Sequence, residues 1–214
     1  MPNAIYLTTG GLLLCVPAGA DTEVLVGYVG RLAKEKDLHH LRAAQSIPGV
    51  QLVIVGEGPE RGHLRDQLPG AVFLGAKHGG ELAEIMASLD VFVHPGAEET
   101  FCQAVQEALA SGIPAVEPAA GGLKDRIEHG VNGLHYAPGD CAQLRAAVHR
   151  LASSTDLRRR MGEAARLRLH NNSRTTVNDL LIDHYRDALA GVVMQGWGAG
   201  SEAYRRKGLH GLAV

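Results

Sequence analysis

The sequence predicts an α/β fold, an open and mostly parallel sheet of about six strands with helices on both faces. Three observations carry that expectation. From Glu23 to about position 170, short apolar runs alternate with longer segments whose apolar residues recur at three- and four-residue spacing. The runs are short and mostly apolar, as expected of strands covered on both sides. Nearly every run ends at a glycine or proline, namely Gly30, Gly56, Gly75, Pro95 and Pro118, where a strand must turn into the next helix.

In order, EVLVGYVG is a buried strand ending at Gly30, and RLAKEKD leads into a helix beginning near Asp37. QLVIVGEGPE repeats the unit, with Gly56 and Gly58 opening a helix that runs through His63 and Leu68. AVFLG supplies a third strand, GELAEIMAS a helix, and DVFVHP a fourth strand centred on Val91–Val93. A helix is expected from about Thr100 to Ser111, then the strand IPAVEP, a short helix near Leu123–Glu128, and a last strand in NGLHYAP. CAQLRAAVHRLAS and DLRRRMGEAARLRLH are amphipathic helices, and TTVNDLLIDHYRDAL reads as one more. Such alternation makes a Rossmann-like domain over 23–190. It is preceded by an irregular leader, 1–22, and followed by a flexible glycine-rich tail, 191–214. In a sheet of this kind ligands sit beyond the carboxyl ends of the strands.

Composition removes several alternatives. A formal net charge of −2 leaves no basic surplus for nucleic acid. Cys15, Cys102 and Cys141 are odd in number and scattered, which argues for a reducing, cytoplasmic setting and against a disulfide scaffold. The 11 histidines include no helical i, i+4 pair beside a carboxylate, so no metal site is expected. No apolar run is long enough to span a bilayer. The opening AIYLTTGGLLLCVPAGA lacks the preceding Lys or Arg of a signal peptide.

The chemistry is concentrated between Asp90 and Ala115. Glu99 and Glu107 bracket the central helix, and eight residues of helix advance roughly 12 Å and rotate roughly 80° beyond two turns. One small atom cannot touch both carboxylates, so a paired general acid and base is not expected. A long ligand could be held at both ends, with anionic groups near the helix N-terminus. A nucleotide-sugar has that shape.

HPGAEETFCQAVQEALASGIPAV resembles the E-x7-E region of the GT-B retaining glycosyltransferases of family 4 (group 1). VGRLAKEKDL resembles that family's V-G-R-L-x-x-E-K-G segment, and VGEGPERGHL its V-G-D-G-P loop. The E-T-F-C-Q wording is similar to the actinobacterial α-mannosyltransferase branch, which uses GDP-mannose. The resemblance implies that Glu99 holds donor-sugar hydroxyls and Glu107 the ribose. Backbone N–H groups of Thr100, Phe101 and Cys102 would lie near sugar and phosphate, Arg31 and Lys36 on the diphosphate, and Gly30, Gly56 and Gly58 along the phosphate and base region. Arg31, Lys36 and Glu99 are the implied catalytic residues. Cationic neutralisation of the departing diphosphate fits a reaction that requires no metal or other cofactor. The sequence departs from the family at Asp37, Thr100 and Cys102, where glycines are usual; Asp37 can instead act as a helix N-cap.

The resemblance covers about 23–190 and matches a GT-B C-terminal, nucleotide-sugar-binding domain, without a counterpart of the N-terminal domain. The implied partners are a nucleotide-sugar and a separately encoded N-terminal GT-B domain. Peripheral membrane association of the complete enzyme and self-association through the exposed cleft face are also implied. Little turnover is expected of the chain alone. The alternatives are a truncated, non-catalytic remnant or binding module, and a different GT-B activity such as a sugar-nucleotide epimerase.

Overall fold

A computed structural model describes residues 4–7, 14–17, 24–99, 102–171 and 182. The chain divides into two compact units, Met1–Arg166 and Leu167–Val214. In the second, the described residues are the end of a helix that reaches Asn171, and Ile182, which is exposed like Leu167. The expected helix at Thr175–Leu189 and the tail 191–214 otherwise lie outside the described residues.

The first unit contains two sheets. Where an irregular leader was expected, β1 (Ala4–Leu7) pairs antiparallel with β2 (Leu14–Pro17) as a separate two-stranded sheet. The main sheet comprises β3 (Val24–Val29), β4 (Val50–Val55), β5 (Val72–Gly75), β6 (Val91–Val93), β7 (Ala115–Pro118) and β8 (Gly133–Tyr136). Its order is β5-β4-β3-β6-β7-β8 and every pairing is parallel. The order reverses between β3 and β6, the position at which doubly wound sheets open a crevice.

The strands are buried on both sides because alternate residues feed different layers. Val26, Tyr28, Leu52, Ile54, Val91, Val93, Val116 and Leu134 join one core cluster with Leu41, Ala44, Leu64 and Leu68. Leu144, Val148 and Leu151 belong to the same cluster, so α1 (Arg42–Gln45), α2 (Arg61–Gln67) and α5 (Cys141–Ala152) cover that face. α5 follows the last strand yet returns to contact α1, and Arg145 donates to Ser46 Oγ at 3.2 Å. The opposite face carries α3 (Gly79–Ala87) and α4 (Gln103–Ala110), which contact each other and bury Ile85, Met86, Val105 and Leu109.

α6 (Thr155–Asn171) begins on a turn held by Ser154, whose Oγ accepts from Leu157 N at 3.2 Å. Farther along, Gly162 packs directly on the carbonyl of Gly112, in the turn after α4; a Cβ at Gly162 would lie 2.0 Å from that oxygen. Arg166 donates to the carbonyl of Ser111 in the same turn at 2.6 Å.

Three local expectations change. The helix expected near Asp37 opens as two 3-10 turns, Lys34–Lys36 and Leu38–Leu41, before α1. Asp37 lies between them at φ 50°, ψ 34°, a left-handed conformation, and its side chain caps nothing. That backbone explains the usual glycine there. The helix expected near Leu123–Glu128 is a 3-10 turn at Gly121–Asp125. Finally, α4 starts at Gln103 rather than Thr100, with Cys102 as its first flanking residue.

Candidate functional site

At the carboxyl ends of β3, β4, β6 and β7 the connecting loops converge. The β3 and β4 loops are tied together by backbone: Gly30 N donates to Val55 O at 3.0 Å and Leu32 N to Glu57 O at 2.9 Å. Gly56 adopts φ 139°, and a Cβ there would lie 1.9 Å from the carbonyl oxygen of Gly30. Only glycine permits that approach. A Cβ at Gly58 would lie 2.2 Å from the carbonyl oxygen of Leu32. These glycines bring the segment carrying Arg31 and Lys36 to the rim of the sheet.

Lys36 and Glu99 form an ion pair across that rim, with side chains 19% and 15% exposed. Glu99 is not on α4 but in the extended loop before it, so a helical separation from Glu107 does not apply. The loop is held by the 3-10 turn after β7, where Gly122 N donates to the Glu99 carbonyl at 3.1 Å. Arg31 lies outside this pair, 66% exposed and paired with Glu35. Glu107 sits half-buried on α4, accepting from Gln103 Nε2 at 2.8 Å. Thr100 and Phe101 lie outside the described residues.

The structure thus brings Lys36, Glu99 and Cys102 together and adds two residues that motif reading did not select, His94 and Tyr28. His94 follows β6 directly; its N–H donates to Val116 O at 3.0 Å and its ring stacks on Tyr28 at 6.0 Å between centroids. The imidazole is 3% exposed. Nδ1 lies 3.7 Å from Cys102 Sγ, and Nε2 lies 3.4 Å from Glu99 Oε1. Nε2 meets Glu99 without hydrogen-bond alignment and has no other partner among the described residues. Tyr28 anchors the assembly by donating to Arg31 O at 3.1 Å. The signal for His94 was available as a polar residue between a buried strand and a Pro-Gly loop.

Burial fixes the protonation states. It lowers His94 to about 4, with Glu99 opposing and Lys36 reinforcing, so the ring is neutral at pH 7. Burial also pushes the Cys102 thiol up to about 11, against the pull of the Val105 N–H. Desolvation likewise raises the Tyr28 phenol. His94, Glu99 and Cys102 offer N, O and S donors within 4.8 Å of one another. The ammonium of Lys36 already pairs with the carboxylate of this group, so the contacts run from Cys102 through His94 to Glu99 and Lys36. Beyond this centre, Glu117 on β7 is fully buried against His135 of β8, Oε1 to Nε2 at 3.4 Å, and burial raises its pKa.

A single sheet reversal and a rim of tight strand-to-helix loops make a Rossmann-like domain, and the solved structures that superpose on it are GT-B glycosyltransferases. The chain belongs to the group 1 glycosyl transferases, whose family model matches residues 17–168. It is 43% identical over 174 residues to a GDP-mannose-dependent alpha-mannosyltransferase of Corynebacterium glutamicum, covering 81% of this chain and 42% of that protein. The Mycobacterium tuberculosis protein of the same description is 46% identical over 166 residues, with 77% and 43% covered. The chain therefore spans less than half the length of these relatives.

Among solved structures, Anabaena Alr3699/HepE in complex with UDP-glucose superposes with a TM-score of 0.63 at 28% identity, covering 68% of this chain and 43% of that one. Sucrose-phosphate synthase from Thermosynechococcus elongatus gives 0.71 at 27% identity, with 79% and 46% covered. The C-terminal domain of a group 1 family protein, LpcC from Francisella tularensis, shares the fold at 22% identity and a TM-score of 0.59, with 68% and 83% covered. Among the described residues, no helix is long and apolar enough to cross a membrane.

Proposed function

We propose that this chain forms the donor side of a hexosyltransferase that takes GDP-mannose and transfers the sugar with retention to an acceptor hydroxyl. The observation that carries the reading is the Lys36–Glu99 pair at the carboxyl rim of the sheet, in a chain whose relatives are described as GDP-mannose-dependent. A part-buried lysine with a carboxylate partner is poised to exchange it for a diphosphate, and the exposed Arg31 guanidinium can swing to the same anion. Glu99, released from Lys36, then accepts hydrogen bonds from sugar hydroxyls, and Glu107 accepts from the ribose. Backbone N–H groups of Thr100, Phe101 and Cys102 complete the sugar and phosphate contacts, and the loop of Gly30, Gly56 and Gly58 admits the nucleotide.

As the glycosidic bond breaks, negative charge grows on the departing diphosphate. Lys36 and Arg31 neutralise it without a metal. Departure on the face that the acceptor attacks gives retention. Calorimetric titration with GDP-mannose, GDP, UDP-glucose and UDP tests the donor assignment, repeated on Glu107→Ala and Arg31→Ala. GDP-selective, saturable binding weakened about tenfold or more in both variants is expected. No saturable binding by the folded wild-type chain would overturn the proposal.

A further inference from the structure

Two buried groups beside the ion pair have no place in the contacts just assigned. The His94 imidazole leaves Nε2 without a hydrogen bond although it lies within the site, and the Cys102 side chain is buried beside it, where the wording of the wider family usually has glycine. A buried, unmatched ring nitrogen is costly to keep unless another state satisfies it. The nearest acceptor is Glu99 Oε1 at 3.4 Å, held away by Lys36.

We infer that Cys102 and His94 are positioning residues for Glu99, the thiol fixing the imidazole tautomer so that Nε2–H props the carboxylate once a donor diphosphate has drawn Lys36 off it. This rests on the reading of Glu99 as the carboxylate that grips the donor sugar. The proton placement follows from the chain of contacts. An ionised carboxylate only accepts, so its neighbour Nε2 must carry the hydrogen. Nδ1 of the neutral ring then accepts, and the partner 3.7 Å away is the Cys102 sulfur, whose S–H donates.

The neutral ring and protonated thiol described above are the states this chain needs. Tyr28 stacked on the ring prevents it from rotating away, and the His94 N–H bond to Val116 fixes its root on the sheet. Lys36 holds Glu99. In the occupied site the two anions exchange partners, with diphosphate on Lys36 and Glu99 on His94. Glycine at position 102 could not supply the S–H, which gives the departure from the family pattern a role.

Two measurements on the full chain test this. Long-range 1H–15N correlation on histidine-labelled protein, with His94 assigned by its loss in His94→Gln, should show the proton on Nε2. A proton on Nδ1 overturns the inference. Calorimetry then compares GDP with GDP-mannose. Cys102→Ala should lose about tenfold in GDP-mannose affinity and much less in GDP affinity, while Cys102→Ser, which retains an O–H donor of similar size, should recover most of the loss. Equal losses for both ligands, or no rescue by serine, overturn it. If the wild-type chain binds GDP-mannose but fails these tests, only the positioning role falls. If it binds neither ligand, the donor reading falls with it.

Discussion

Acidification should weaken the folded unit through His94, by an amount that its surroundings set. The ring is 3% exposed, stacked on Tyr28, and faced by the Lys36 ammonium, the Glu99 carboxylate and the Cys102 thiol. Burial, reinforced by Lys36 and partly opposed by Glu99, takes its pKa from 6.5 to about 4. A base with a lowered pKa in the folded chain takes up its proton more readily when unfolded. Its stabilising contribution is therefore complete above 6.5 and is lost as pH falls through the window from 6.5 to about 4. At about 1.4 kcal/mol for each pH unit between the two values, the loss across that window is about 3 kcal/mol. Urea unfolding of wild type and His94→Gln, repeated between pH 7 and pH 4, isolates this contribution. The glutamine does not titrate, so the gap between the two proteins should change by about 3 kcal/mol in favour of the variant as pH falls. Parallel curves would refute the argument, because they would mean that His94 is solvated or already charged at neutral pH.

Glu117 carries the opposite sign. Its raised pKa makes its contribution complete at low pH and lost as pH rises through the folded value, so Glu117→Gln should gain on wild type in urea midpoint from acidic to alkaline pH. A constant offset would show that the pair with His135 keeps the carboxylate fully compensated. Gly56→Ala should cost about 3 kcal/mol or more, since φ 139° and a Cβ 1.9 Å from the Gly30 carbonyl combine strain with a backbone clash. A thermal melt within a degree or two of wild type would contradict that geometry.

The alternation of short, mostly apolar runs with helical segments sufficed for the six parallel strands, because nearly every run ends at a glycine or proline. Helix starts were less legible. A helix reads as beginning near Asp37, but that residue's left-handed backbone sits between two 3-10 turns, and an aspartate advertises a cap more readily than it advertises positive φ. The start of α4 was displaced for a related reason: the E-T-F-C stretch carries helix-compatible residues, while Cys102 adopts an extended conformation. Lys36, Glu99 and Cys102 were nameable from motifs, and their convergence on one rim is the structure's contribution. His94 carried a local signal, a polar residue directly after a buried strand, but its stacking on Tyr28 across the reversal of the sheet leaves no mark in local spacing. The same applies to Glu117 and His135, opposed on neighbouring strands but eighteen positions apart in the chain.

The bare backbone contact between Gly162 and Gly112 bears on how any motion could spread. Side chains between two helices act as a cushion that lets one slide while the other stays still. Here no cushion exists, and the Arg166 fork grips the adjacent Ser111 carbonyl as well. α4, which carries Glu107, and the portion of α6 up to Arg166 are in effect riveted at one end. A ligand that tilts α4 at its Cys102 end must turn it about that rivet, so the displacement is largest beside Glu99 and smallest at Gly112.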